Sequence, residues 1–166
     1  MKKLMMVLTI CVMSMLLVGS VFAQATQNQT VTLAVNTVYL ISVSGNPAAM
    51  TISTGTAGTD ALTGVTDAST TYSITQNYGP AVKITGYLNS ALAAGYTLNL
   101  TLASAKGTSA GVVNISNALS GSAVNLVTAI ATGADAAKII TYQFLANASA
   151  GTLASGSKTV TLTLSN

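Results

Sequence analysis

The sequence predicts an all-β fold, an antiparallel Greek-key or immunoglobulin-like β-sandwich of about eight to ten strands. Three observations predict it. In the closing stretch S-K-T-V-T-L-T-L-S-N, Val160, Leu162 and Leu164 alternate with Thr159, Thr161 and Thr163, giving one apolar and one hydroxyl face. The same period of two recurs in Thr30–Val43 and Thr97–Leu102, with Gly, Pro, Asn and Ser between such runs. No segment sustains a helical repeat: Ala118–Thr132 fits both periods, but Gly121 and its β-branched residues argue against a long helix.

Taken in order, residues 1–23 read as a secretory signal peptide. Lys2 and Lys3 precede an apolar run from Leu4 to Val18, and Val21-Phe22-Ala23 offers small residues at the cleavage spacing, with a second acceptable site at Ala25. The run is shorter than the roughly 20 residues that a membrane span needs. Residues 24–166 are then one domain, exported to the periplasm, the cell surface or the medium. Cys11 leaves with the signal, so this domain folds without a disulfide.

After a polar lead-in, Gln24–Gln29, the odd positions Val31, Leu33, Val35, Thr37, Tyr39, Ile41 and Val43 form one row. They predict one long strand, or two in tandem with a bend near Asn36. Gly45-Asn46-Pro47 ends it, Ala49–Ser53 is a short strand candidate, and Thr54–Ser69 is the longest loop, holding Asp60 and Asp67. Thr70–Gln76 and Ala81–Leu88 read as strands joined by a hairpin-type connection at Asn77-Tyr78-Gly79-Pro80. Asn89–Gly95 fits a single helical turn, and Leu98, Leu100 and Leu102 mark the next strand. A turn at Lys106–Gly111 precedes Val112–Ser116, and Ala118–Thr132 holds irregular chain with a strand. Lys138–Ala148 is a long strand with Ile140, Tyr142 and Phe144 in one row. The closing strand completes a sheet, its apolar row packing against the early odd-phase strand or a donated equivalent. An outer-membrane barrel also follows a signal with alternating strands, but six tyrosines and two phenylalanines, Phe22 among them, cannot build two aromatic girdles.

Charge narrows the chemistry. Beyond the signal, four lysines (Lys83, Lys106, Lys138, Lys158) face three aspartates (Asp60, Asp67, Asp135), and the chain holds no Arg, Glu, His or Trp. Nucleic acid is excluded as a partner, because backbone binding needs clustered cations. Without His, Glu, Arg or an exported Cys, the usual acid, base and nucleophile sets cannot be assembled, so no enzyme and no cofactor is expected. No metal is expected either; Asp60 and Asp67 come nearest to a calcium pair, and in a glycine-rich loop Asx-turn roles suit them better. Tyr78 and Tyr87, from the turn and outer face of the expected hairpin, are candidates for stacking on a sugar or anchoring a protein.

The stretches V-T-D-A-S-T (Val65–Thr70), G-T-S-A-G (Gly107–Gly111), N-L-V-T-A-I-A-T (Asn125–Thr132) and T-V-T-L-T (Thr159–Thr163) give the chain a resemblance to small exported bacterial β-sandwich proteins of no assigned activity, loosely fimbrial-subunit-like. The resemblance implies a sandwich and an exported location, and carries no catalytic residue. The leading expectation is a non-enzymatic structural protein of the cell surface or an extracellular filament, associating with itself or other surface proteins by strand addition. Gln24–Val35 would donate, with Val31, Leu33 and Val35 as its contact row. The alternative is a soluble secreted module that binds glycan or protein through Tyr78 and Tyr87. The membrane is met only through the signal before cleavage.

Overall fold

A computed structural model describes residues 26–79 and 82–166. The signal peptide and the expected mature start lie outside them. The chain divides after Val35 into two units, and the second, Asn36–Asn166, contains every strand described.

Nine strands are present among the described residues: β1 (Tyr39–Val43), β2 (Val65–Gln76), β3 (Val82–Leu88), β4 (Tyr96–Leu102), β5 (Thr108–Ser109), β6 (Val113–Asn114), β7 (Val124–Ile130), β8 (Gly133–Ala146) and β9 (Val160–Ser165). They form an all-β sandwich of two antiparallel sheets, ordered β1-β2-β8-β4-β6 and β5-β7-β3-β9. Alternation decides burial as the sequence implies. In β4 the odd row Thr97, Asn99 and Thr101 is half-buried while Leu98, Leu100 and Leu102 are buried; in β3 Val82, Ile84, Gly86 and Leu88 point inward. Gly86 keeps that row thin where Leu126 crosses it, since a Cβ there would stand 2.5 Å from the Leu126 Cδ1.

Only the β1–β2 connection stays within a sheet; every other passes to the facing one. This corrects the expected hairpin between Thr70–Gln76 and Ala81–Leu88. Both edges of β2 are already taken, by β1 and by β8, so β3 has no place beside it and pairs with β7 and β9 in the other sheet.

Four other expectations change. The long strand over Thr30–Val43 is formed only from Tyr39, because its partner β2 ends at Gln76, directly opposite Tyr39, and no ladder extends beyond. Ala49–Ser53 forms no strand. Val65–Ser69 belongs to β2 rather than to a loop, so Asp67 sits in a strand, opposite Tyr142. Asn89–Gly95 is a turn without helix; the single-turn 3-10 helices lie at Ser120–Ser122 and Ala148–Ala150 instead.

Among the described residues, two adopt left-handed backbone without being glycine, Ala129 (φ 53°) and Ala137 (φ 51°). Each lies where its strand carries one residue more than the partner: β7 between Val127 and Ile130, and β8 between Asp135 and Lys138. They are the extra residues of β-bulges. The Ala137 N–H, freed from the ladder, donates to the Ser73 hydroxyl at 3.0 Å.

Candidate functional site

The sandwich is sealed on one side and open on the other. On the sealed side the edge strands β5 and β6 are two residues each, too short to template another strand. On the other side the edges are β1, of five residues, and β9, of six, and neither carries a charge or a proline. Four strands there face five, and a groove of about 670 Å³ runs between β1 and β9. Its floor is Ile140 and Tyr142 from the inner face of β8, and its walls are Ile41 and Val43 against Val160 and Leu162. Gly45–Ala48 and Ser157–Thr159 line one end. Val43, in the inward row with Tyr39 and Ile41, is 55% exposed, and β9 has no fully buried residue although it is the closing strand of its sheet.

The groove lining mixes apolar side chains of β1, β8 and β9 with the hydroxyls of Ser157, Thr159 and Thr161, and its one cation is already engaged. The Lys158 ammonium donates to the Ser90 hydroxyl at 2.7 Å and to the Ala91 carbonyl at 3.0 Å. Burial raises the Tyr142 phenol above its ordinary value, and the Asp67 carboxylate adds to that, so the floor carries no charge at neutral pH.

Ahead of β1, Asn77 ties the chain to the end of β2. The Val38 N–H donates to the Asn77 Oδ1 at 2.6 Å, the Asn77 Nδ2 donates to the Asn36 carbonyl at 2.8 Å, and the Asn77 N–H donates to the Val38 carbonyl at 3.3 Å. A side-chain amide thus stands where β2 no longer supplies a strand. Within the first unit, Thr30–Val35 is in no strand, and its apolar row is open: Val31, Leu33 and Val35 are 71%, 85% and 87% exposed.

No family model matches this chain, and no curated protein or solved structure is similar to it. The geometry of the open side therefore carries the functional reading.

The remaining sequence candidates are dispersed. Tyr78 is half-buried with its ring 5.5 Å from that of Tyr39, and Tyr87 lies at the far end of β3, opposite Thr161. Asp60 is taken up by Ser149, whose N–H and hydroxyl donate to its two oxygens at 2.7 and 2.9 Å. Asp67 accepts from the Ser69 hydroxyl at 2.8 Å and N–H at 3.1 Å, and these bonds hold its carboxyl below the usual range. Asp60 is level with Ala148 and Asp67 with Tyr142, a separation of roughly 15 Å or more along the chain. They share no site. No group of three or more His, Cys, Asp or Glu comes together among the described residues.

Asp135 is the polar centre that sequence reasoning missed. Delivered inward beside the Ala137 bulge, it is 3% exposed and accepts from the N–H groups of Ala105 and Lys106 and the Ser104 hydroxyl, while Lys138 stands 3.1 Å away. Burial alone would raise its carboxyl, but these four donors together hold it below the ordinary value. It ties the Ala103–Gly107 turn to β8 and is structural. One signal was available: an aspartate within a run of alanines needs partners if it is buried.

Proposed function

We propose that this protein is an exported structural subunit of the cell surface or of an extracellular filament, associating with itself by strand addition. One observation carries the reading: Thr30–Val35 keeps the alternation of a sheet strand, yet it stands outside any strand with its apolar row open to solvent. Such a row is stabilised by a partner with an unpaired edge and an uncovered apolar face. The signal-like start and a surface wetted by hydroxyls in place of charges support the same reading.

The test is deletion of residues 24–35 from the secreted protein, read by size-exclusion chromatography and negative-stain microscopy. The full chain forms oligomers or filaments and the deletion gives monomers. Filaments that persist in the deletion overturn the proposal.

A further inference from the structure

We propose that the groove between β1 and β9 is the acceptor, and that Thr30–Val35 of a second copy fills it by pairing with the free edge of β9. The inference rests on the strand-addition reading and names the surface that receives the strand. The added strand makes the four-stranded sheet five-stranded, so that it matches the sheet facing it.

Three features select this site. The lengths agree: Thr30–Val35 is six residues, as is β9, and both extend about 20 Å as strands. The patterns agree as well. Val31, Leu33 and Val35 would continue the inward row of Val160, Leu162 and Leu164 over Ile41 and Val43, and Thr30, Thr32 and Ala34 would continue the outer threonine row. The chemistry agrees, because neither the segment nor the groove lining brings an unengaged charge to be buried. The other two edges, β5 and β6, offer only two residues each.

A second copy is the occupant because each chain carries its own Thr30–Val35 outside any strand, with Val31, Leu33 and Val35 71%, 85% and 87% exposed. Each copy then has one segment to give and one groove to fill. Such a head-to-tail contact is heterologous, and it propagates into an open chain unless its rotation closes a ring.

Cysteine pairing tests the site. In a Cys11→Ser background, Leu33→Cys is mixed with Leu162→Cys under mild oxidation, and disulfide heterodimers are identified by mass. Adjacent strands bring such positions within bonding range, whereas a cysteine on a distant edge stays out of reach. Ala34→Cys against Thr161→Cys, and separately against Thr163→Cys, repeats the test at surface positions for both strand directions, which keeps it decisive should Leu162→Cys fail to fold. Leu33→Cys against Thr108→Cys and Val113→Cys samples the edges β5 and β6. Heterodimers at β9 and none at β5 or β6 are expected. Cross-links at β5 or β6 overturn the groove as acceptor while strand addition stands. Assembly by the full chain with no cross-link to β5, β6 or β9 overturns the groove too, and absence of any assembly overturns both readings.

Discussion

Leu33 and Leu100 are the same residue type in opposite circumstances, and truncating each to alanine separates assembly from folding. Leu33 is 85% exposed within its own chain, so Leu33→Ala should leave the stability of a dissociated monomer within about 0.5 kcal/mol of the parent. If Leu33 is buried on strand addition, its transfer contributes roughly 1.5–3 kcal/mol. A loss near 2 kcal/mol weakens subunit association about 30-fold. Leu100 is fully buried at the centre of β4, opposite Tyr142 of β8, and Leu100→Ala should destabilise the fold by about 2–5 kcal/mol through lost burial and the cavity left behind. The assay pairs sedimentation velocity over a dilution series with urea denaturation at the lowest concentration, where monomer dominates. A Leu33→Ala protein that associates as tightly as the parent refutes the reasoning. So does one whose monomer unfolds more than 1 kcal/mol earlier, since Leu33 would then belong to the protein's own core.

Asp135→Asn removes a carboxylate that binds four donors, and a cost of about 2–3 kcal/mol follows from hydrogen bonds to a charged group. Because the folded carboxyl lies below the unfolded value of 3.8, its contribution is fully present above that value and is lost as pH falls through the lower folded one. The stability gap between parent and Asp135→Asn should hold steady above about pH 5 and close below pH 4; a gap unchanged down to pH 2 contradicts the assignment. Thr70→Val replaces a buried hydroxyl that has no hydrogen-bond partner with a methyl of the same shape, and should raise stability by about 1 kcal/mol in thermal denaturation. Ala137→Gly and Ala129→Gly relieve left-handed backbone at the bulges, so each should be neutral or stabilising by up to about 1 kcal/mol, whereas Ala137→Val should destabilise. Asn77→Ala unties Val38, and its amide should exchange at least tenfold faster by hydrogen exchange if the clamp contributes about 1.4 kcal/mol.

Strands were legible in this sequence because burial enforces a period of two residue by residue. Leu98, Leu100 and Leu102, the Val82–Leu88 row and the closing threonine ladder needed nothing beyond their own neighbours to be read. Pairing was not legible, because no strand after β2 has its chain neighbour beside it in the same sheet. The turn residues around Tyr78 look alike whether the chain doubles back or crosses to the facing sheet; what decides is that β8 occupies the edge of β2, from more than fifty residues away. The same limit applies to Thr30–Val43. Its odd row is continuous in sequence, and only the end of β2 at Gln76 separates a paired half from an unpaired one. Asp135 was hidden for a different reason: its burial depends on a bulge at an alanine, where sequence patterns lead one to look for glycine.

The two sides of this sandwich handle exposed edges in opposite ways. On the β5/β6 side, edge strands are cut to two residues, as sheets do when they must not pair with other molecules. On the β1/β9 side, a six-residue uncharged strand is left open above buried Ile140 and Tyr142, with no lysine in the strand, proline or bulge to discourage a partner. A monomer meant to stay single would be expected to protect both sides, since an exposed apolar edge invites uncontrolled pairing. Protection on one side alone makes sense if the other edge is consumed in use. In the proposed assembly, a strand supplied by the next copy would cover the edge, bury the exposed row of Val31, Leu33 and Val35, and pass the same unmet need one subunit further along. The liability of the free protein would then be what makes the proposed filament continuous.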